Sequence, residues 1–167
     1  QNRELVSGSG VQISLQQFKE VLLRLQNEEH AANINLVTPT HYTPSIAAAL
    51  GELRDSRALT IPVVYNTSSF DSLEALGLMR GKVDVYLADF KYASALEAGK
   101  LSHAPRYPEI ALAAIEEMVA QVPVWEEDDE GLLLKGVIVR HLVLPGRVEE
   151  SKRALATLHD RFGSGVR

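Results

Sequence analysis

Asp89 and Lys91 stand two residues apart where the apolar run Val83-Asp84-Val85-Tyr86-Leu87 ends. In extended chain, residues i and i+2 share a side, so the spacing sets a carboxylate beside an ammonium. Such a pair holds a ribose hydroxyl or a ligand carboxylate, or closes a rim as a salt bridge. A strand-end lysine also forms Schiff bases when burial lowers its pKa. Other apolar runs end in polar residues too: Thr38-Pro39-Thr40-His41 after Ile34-Asn35-Leu36-Val37, Asn66-Thr67-Ser68 after residues 61–65, and Arg140-His141 inside the run 136–144. His41 and His141 are candidate donors to a ligand, although a strand-end histidine is more often a structural hydrogen-bonder. His30, His103 and His159 read as surface residues, and their spacing makes no metal set. No Gly-rich phosphate loop, nucleophile elbow or His-Glu-x-x-His motif is present.

The elements that must carry these residues alternate. Ser14, with Gln17 three residues on, has the capping-box spacing for a helix through Phe18, Val21, Leu22 and Leu25, fading near His30. A strand follows at 34–37, then a helix with Thr43 as N-cap and Pro44 at its first position. Residues 61–65 read as a strand, and Leu73, Leu76 and Met79 as a helix stopped by Gly81. After the strand at 83–87, a helical stretch from Ser94 is interrupted around Pro105 and Pro108 and resumes through Met118. Pro123-Val124-Trp125 and Leu132-Leu133-Leu134 flank an acidic turn, Glu126 to Glu130, as a hairpin. The run 136–144 is the strongest strand signal, ended by Pro145-Gly146, and a last helix spans 148–162.

Helix and strand in alternation predict an α/β fold, a parallel sheet with crossover helices, as one domain over 1–167. A barrel and a doubly wound sheet both fit, and in both the ligand sits outside the carboxyl ends of the strands.

The bulk numbers bound the function. The chain has 167 residues, 46% hydrophobic and 23% charged, which suits one globular domain with a sizeable core. A net charge of -5 without a basic stripe argues against nucleic acid or an anionic membrane as partner. With no cysteine, the chain itself has neither a disulfide framework nor a thiolate metal site. No apolar run is long enough to cross a bilayer and no signal-peptide pattern opens the chain, so a cytoplasmic location is expected. The start at Gln1 without Met and the stop at Gly163-Ser164-Gly165-Val166-Arg167 read as cut ends.

The four strand-end segments, 33–42, 62–68, 83–92 and 139–146, together resemble a radical S-adenosylmethionine protein, in the group of pyruvate formate-lyase activating enzyme-like proteins. Gln1-Asn2-Arg3-Glu4 resembles the residues just after the third cysteine of that family's Cys-x-x-x-Cys-x-x-Cys loop. The resemblance covers nearly the whole chain. It implies the central part of a partial (β/α)6 barrel, with the first strand and its cluster loop, and the last strand, missing. It implies a 4Fe-4S cluster on three cysteines, S-adenosylmethionine on its fourth iron, and a 5'-deoxyadenosyl radical. That radical takes hydrogen from a glycyl-radical enzyme or another protein substrate.

By the same resemblance, Thr38, Pro39 and Thr40, with His41 beside them, lie where the family's Gly-Gly-Glu segment meets the methionine amino group. The glycines and the glutamate are absent here, so backbone carbonyls or threonine hydroxyls would serve. Asn66 and Ser68 match the motif after the third strand. Asp89 and Lys91 match an Asp-x-Lys motif near the ribose and carboxylate. Arg140, with His141, precedes the Leu-Pro-Gly turn and would reach the carboxylate. Without three thiolates this chain alone holds no cluster and is expected to be inactive. Exposed edges at both cuts would favour self-association. Two other readings stay open: a Schiff-base lyase or aldolase using Lys91, and a non-catalytic binding domain on the same scaffold.

Overall fold

The computed structural model describes residues 10–167. Gln1 to Glu4, and with them the expected junction to a cysteine loop, lie outside the described residues. Helix α1 (Leu15–Asn27) starts as its spacing requires. Ser14 Oγ accepts the Gln17 N–H at 3.2 Å and Gln17 Oε1 accepts the Ser14 N–H at 2.8 Å, which satisfies two otherwise orphaned donors. Then come β1 (Ile34–Val37), a 3-10 turn (Pro39–Tyr42), α2 (Thr43–Asp55), β2 (Val63–Thr67), α3 (Leu73–Met79), β3 (Val85–Asp89), α4 (Ala95–Ser102) and α5 (Tyr107–Gln121). The chain continues through β4 (Glu126–Glu127), β5 (Leu133–Arg140), α6 (Val148–Phe162) and a second 3-10 turn (Gly163–Gly165).

The sheet has five strands in the order β1-β2-β3-β5-β4, parallel except where β4 and β5 form the antiparallel hairpin. The parallel strands follow chain order with no reversal, unlike a doubly wound sheet, which turns back at a switch point. The helices keep the same order: α1 packs on α2, α2 on α3 and α3 on α5. Arg161 of α6 then reaches Glu116 of α5 at 2.7 Å. The result is an α/β sheet wound in one direction, compatible with an arc of an α/β barrel. Each parallel strand feeds a helix that starts at the strand's carboxyl end, so α2, α3, α5 and α6 run back from the same rim.

Register decides which side chains face the helices. Tyr65 pairs with Tyr86, Tyr86 with Val137, and all three are buried in the core with Leu50, Ile115 and Met118. Burying side chains of this size contributes about 1.5–3 kcal/mol each. The alternate positions form the other face, where Val64, Asn66, Leu87 and Ile138 are half-buried and Val37 is exposed. At the amino end of that face, Trp125 lies over Gly136, and a Cβ built on Gly136 would stand 2.7 Å from Trp125 Cε3. Among the described residues no helix is long and apolar enough to cross a membrane.

Several boundaries differ from expectation. Thr43 is the first helical residue and not the cap, because the 3-10 turn runs straight into α2. Its hydroxyl instead bonds back to Thr40 O at 3.1 Å. Strand β2 takes in Asn66 and Thr67, and Pro62 precedes it, since Pro62 contributes only its carbonyl, to Ile34 N–H. Pro108 does not interrupt a helix; it sits in the first turn of α5, where no N–H is needed. Strand β4 falls on Glu126 and Glu127, placed above within the acidic turn, and β5 ends at Arg140 rather than 144.

Candidate functional site

Strands β2, β3 and β5 end together, and their outermost side chains on the half-open face meet. Arg140 sits beside Asp89 in the parallel register. Its Nε donates to Asp89 Oδ1 at 2.9 Å and its Nη2 to Asn66 Oδ1 at 2.8 Å. One guanidinium therefore spans three strands. Lys91 Nζ lies 3.5 Å from Asp89 Oδ2, on the side left free by Arg140. Two cations share one carboxylate, so the cluster keeps a net positive charge with spare donors. The side chains are 21% exposed at Asp89, 36% at Lys91 and 47% at Arg140, so they are reachable. Lys91, ion-paired and partly in solvent, is unlike the desolvated lysines of Schiff-base chemistry.

The backbone around this cluster is held from behind. The Tyr107 hydroxyl accepts the Lys91 N–H at 3.0 Å and shares its proton between Asp89 O at 2.8 Å and Ser68 O at 3.0 Å. Burial pushes the Tyr107 phenol well above its ordinary range, so it keeps that proton. Glu150, in the first turn of α6, accepts the N–H groups of Ala93 and Ser94 at 2.7 and 2.8 Å.

The other expected site residues go elsewhere. Thr38 has a left-handed backbone with φ 52°, and its N–H bonds Asn66 O at 2.8 Å. Pro39 is buried and His41 exposed. Thr40 turns from the cluster and donates to Asp71 Oδ1 at 2.7 Å. Ser68 joins only through its carbonyl. His141 Nδ1 is 2.7 Å from Phe90 O and Nε2 is 2.9 Å from Ser151 Oγ. Facing a carbonyl, Nδ1 must carry the proton, and both ring nitrogens are engaged within the chain.

Asp71, Tyr107 and Glu150 escaped the sequence reading. Asp71 is 3% exposed and accepts from the hydroxyls of Thr40, Tyr65 and Thr67. Burial, with the Asp71 charge nearby, raises the Tyr65 phenol, which stays a donor. No motif in the sequence marks either Asp71 or Glu150.

Glu150 gives a pH signature. Burial alone pushes its carboxyl up, but the Arg153 hydrogen bond and the Ser94 and Ala93 N–H groups outweigh that, and the net shift is downward. A lowered folded-state pKa stabilises above the unfolded value, about 4.3 for glutamate, and that stability is lost as pH falls through the folded value. Glu150→Gln should therefore cost about 1–2 kcal/mol near pH 7. The gap from the parent protein should narrow as pH falls below the ordinary glutamate value and close once the folded carboxyl is protonated, read by urea unfolding across pH. A gap that does not depend on pH would rule out the ionised clamp.

The comparisons add a relative but no activity. The chain is 31% identical over 123 residues to an uncharacterized protein of Methanocaldococcus jannaschii. The match takes in 72% of this chain and 31% of the relative, so the chain spans about a third of the length of the curated relative it matches. No family model matches the chain, and no solved structure matches it.

Proposed function

We propose that this chain is the central part of a radical S-adenosylmethionine protein of the activating-enzyme type, and that Asn66, Asp89, Lys91 and Arg140 bind S-adenosylmethionine. The carrying observation is the Arg140 guanidinium, fixed by Asp89 and Asn66 across three strand ends on the half-open face. Pre-oriented donors cost a ligand less on binding than mobile ones. In this reading Arg140 and Lys91 take the methionine carboxylate, and Asp89 accepts from a ribose hydroxyl. Exposed Val37, Tyr42, Phe70, Leu96, Leu142 and Val143 follow the same strand ends, which suits a protein substrate, such as a glycyl-radical enzyme, covering the rim.

The chain's own residues do not fit an iron-sulfur cluster. It has no cysteine, and the described residues hold no group of three or more His, Asp or Glu able to take a metal ion. Cluster ligands must come from outside these 167 residues. The gene is expected to encode Cys-x-x-x-Cys-x-x-Cys just upstream of Gln1, and its absence there would overturn the iron-sulfur half of the proposal.

Binding is tested by equilibrium dialysis of labelled S-adenosylmethionine against the 167-residue chain. Saturable binding is expected, weakened about tenfold or more by Arg140→Met, as loss of one charged contact predicts. Decarboxylated S-adenosylmethionine should bind the parent chain weakly and be indifferent to that change. No saturable binding, or equal binding by parent and variant, overturns the assignment.

A further inference from the structure

We infer that Tyr107 is the positioning residue of the strand-end cluster: it sets which side of the chain Asp89 and Lys91 present. Residues 89–92 alternate. Asp89 and Lys91 meet on the half-open face, while Phe90 and Tyr92 are buried on the opposite side. Both buried rings pack on Tyr107. Phe90 stacks on it at 6.4 Å between centroids, and Tyr92 meets it edge-on at 5.6 Å. The Tyr107 ring thus anchors residues 90 and 92, and its hydroxyl holds the backbone of 89 and 91.

The hydroxyl also reaches Ser68 O, just past β2, so it ties the β2 and β3 ends between which Arg140 spans. One oxygen thus serves two acceptors with its proton and takes one N–H. If the β3 end slips, the carboxylate that orients Arg140 moves with it. The positioning does not depend on which ligand the cluster takes; only its bearing on S-adenosylmethionine rests on the reading above.

The test uses the full chain, isotopically labelled, with Tyr107→Phe set against Tyr86→Phe. Tyr86 is a matched control: it is fully buried, and its hydroxyl donates once, to Gln121 Oε1 at 2.6 Å, in the helix layer. Both variants lose a buried hydroxyl and both should lose stability. Only Tyr107→Phe should shift the Arg140 Nε–H resonance. Only it should speed exchange of the Lys91 amide, by about tenfold beyond the change in global stability, the scale of one lost hydrogen bond. Matching behaviour of the two variants at Lys91 and Arg140 overturns the inference. If Tyr107→Phe does not fold, Tyr107→3-fluorotyrosine keeps the ring and hydroxyl but weakens the oxygen as acceptor. The Lys91 amide should then move, and an unmoved amide is equally fatal. These signals are read without ligand, so they stand or fall apart from S-adenosylmethionine binding.

Discussion

Asp71→Ala should lower the free energy of unfolding by about 3 kcal/mol, and Asp71→Asn by about 1 kcal/mol. The buried carboxylate is the common acceptor for Thr40, Tyr65 and Thr67. Alanine leaves these hydroxyls without their acceptor, although Thr43 remains 3.2 Å from the Tyr65 hydroxyl. Asparagine keeps one oxygen for Thr40 and Tyr65 and turns an N–H2 toward Thr67, whose oxygen can accept. The alanine variant should also free Thr40, and with it the turn that follows β1. Urea unfolding gives the two energies. A cost below about 1 kcal/mol for alanine would mean that the hydroxyls re-pair among themselves.

Gly136→Val should cost about 2–3 kcal/mol and expose further the single tryptophan, already 39% exposed. Even a Cβ would approach Trp125 Cε3 to 2.7 Å and Cζ3 to 3.1 Å. The branched side chain must push the indole off β5. The ring then loses its packing and its contact with the Arg167 guanidinium, now 5.2 Å from the ring centroid. Tryptophan emission should shift to the red in the folded variant, and the unfolding midpoint should fall. Unchanged emission would place the indole elsewhere than over Gly136.

The periodic part of this fold was legible in the sequence. Apolar residues at helical spacing, Ser14 with Gln17, and the limits of β1 and α6 all follow from local pattern. The pairing of Asp89 with Lys91 followed from strand geometry alone. Strand order did not, because a barrel arc and a doubly wound sheet share the same element sequence. The long-range partners were also hidden. Nothing near Glu150 signals that it caps N–H groups 56 and 57 residues earlier. Tyr107, next to Pro108, falls where the sequence reads as an interrupted helical stretch and not as a junction for β2 and β3. For His141 the sequence left a ligand donor and a structural hydrogen-bonder both open, because its closeness to Ser151 and Phe90 in space is not written in its neighbours.

The common direction of the parallel strands has an electrical consequence. Every crossover helix points its amino end, with its positive partial charge, at the same rim. Lys91 and Arg140 stand there as well, while the molecule as a whole carries -5. Acidic residues in the first turns of those helices, Glu74, Glu97, Glu109, Glu149 and Glu150, offset part of that positive charge. What remains is a short-range field at Lys91 and Arg140, reaching no further than about 10 Å at 0.1 M salt.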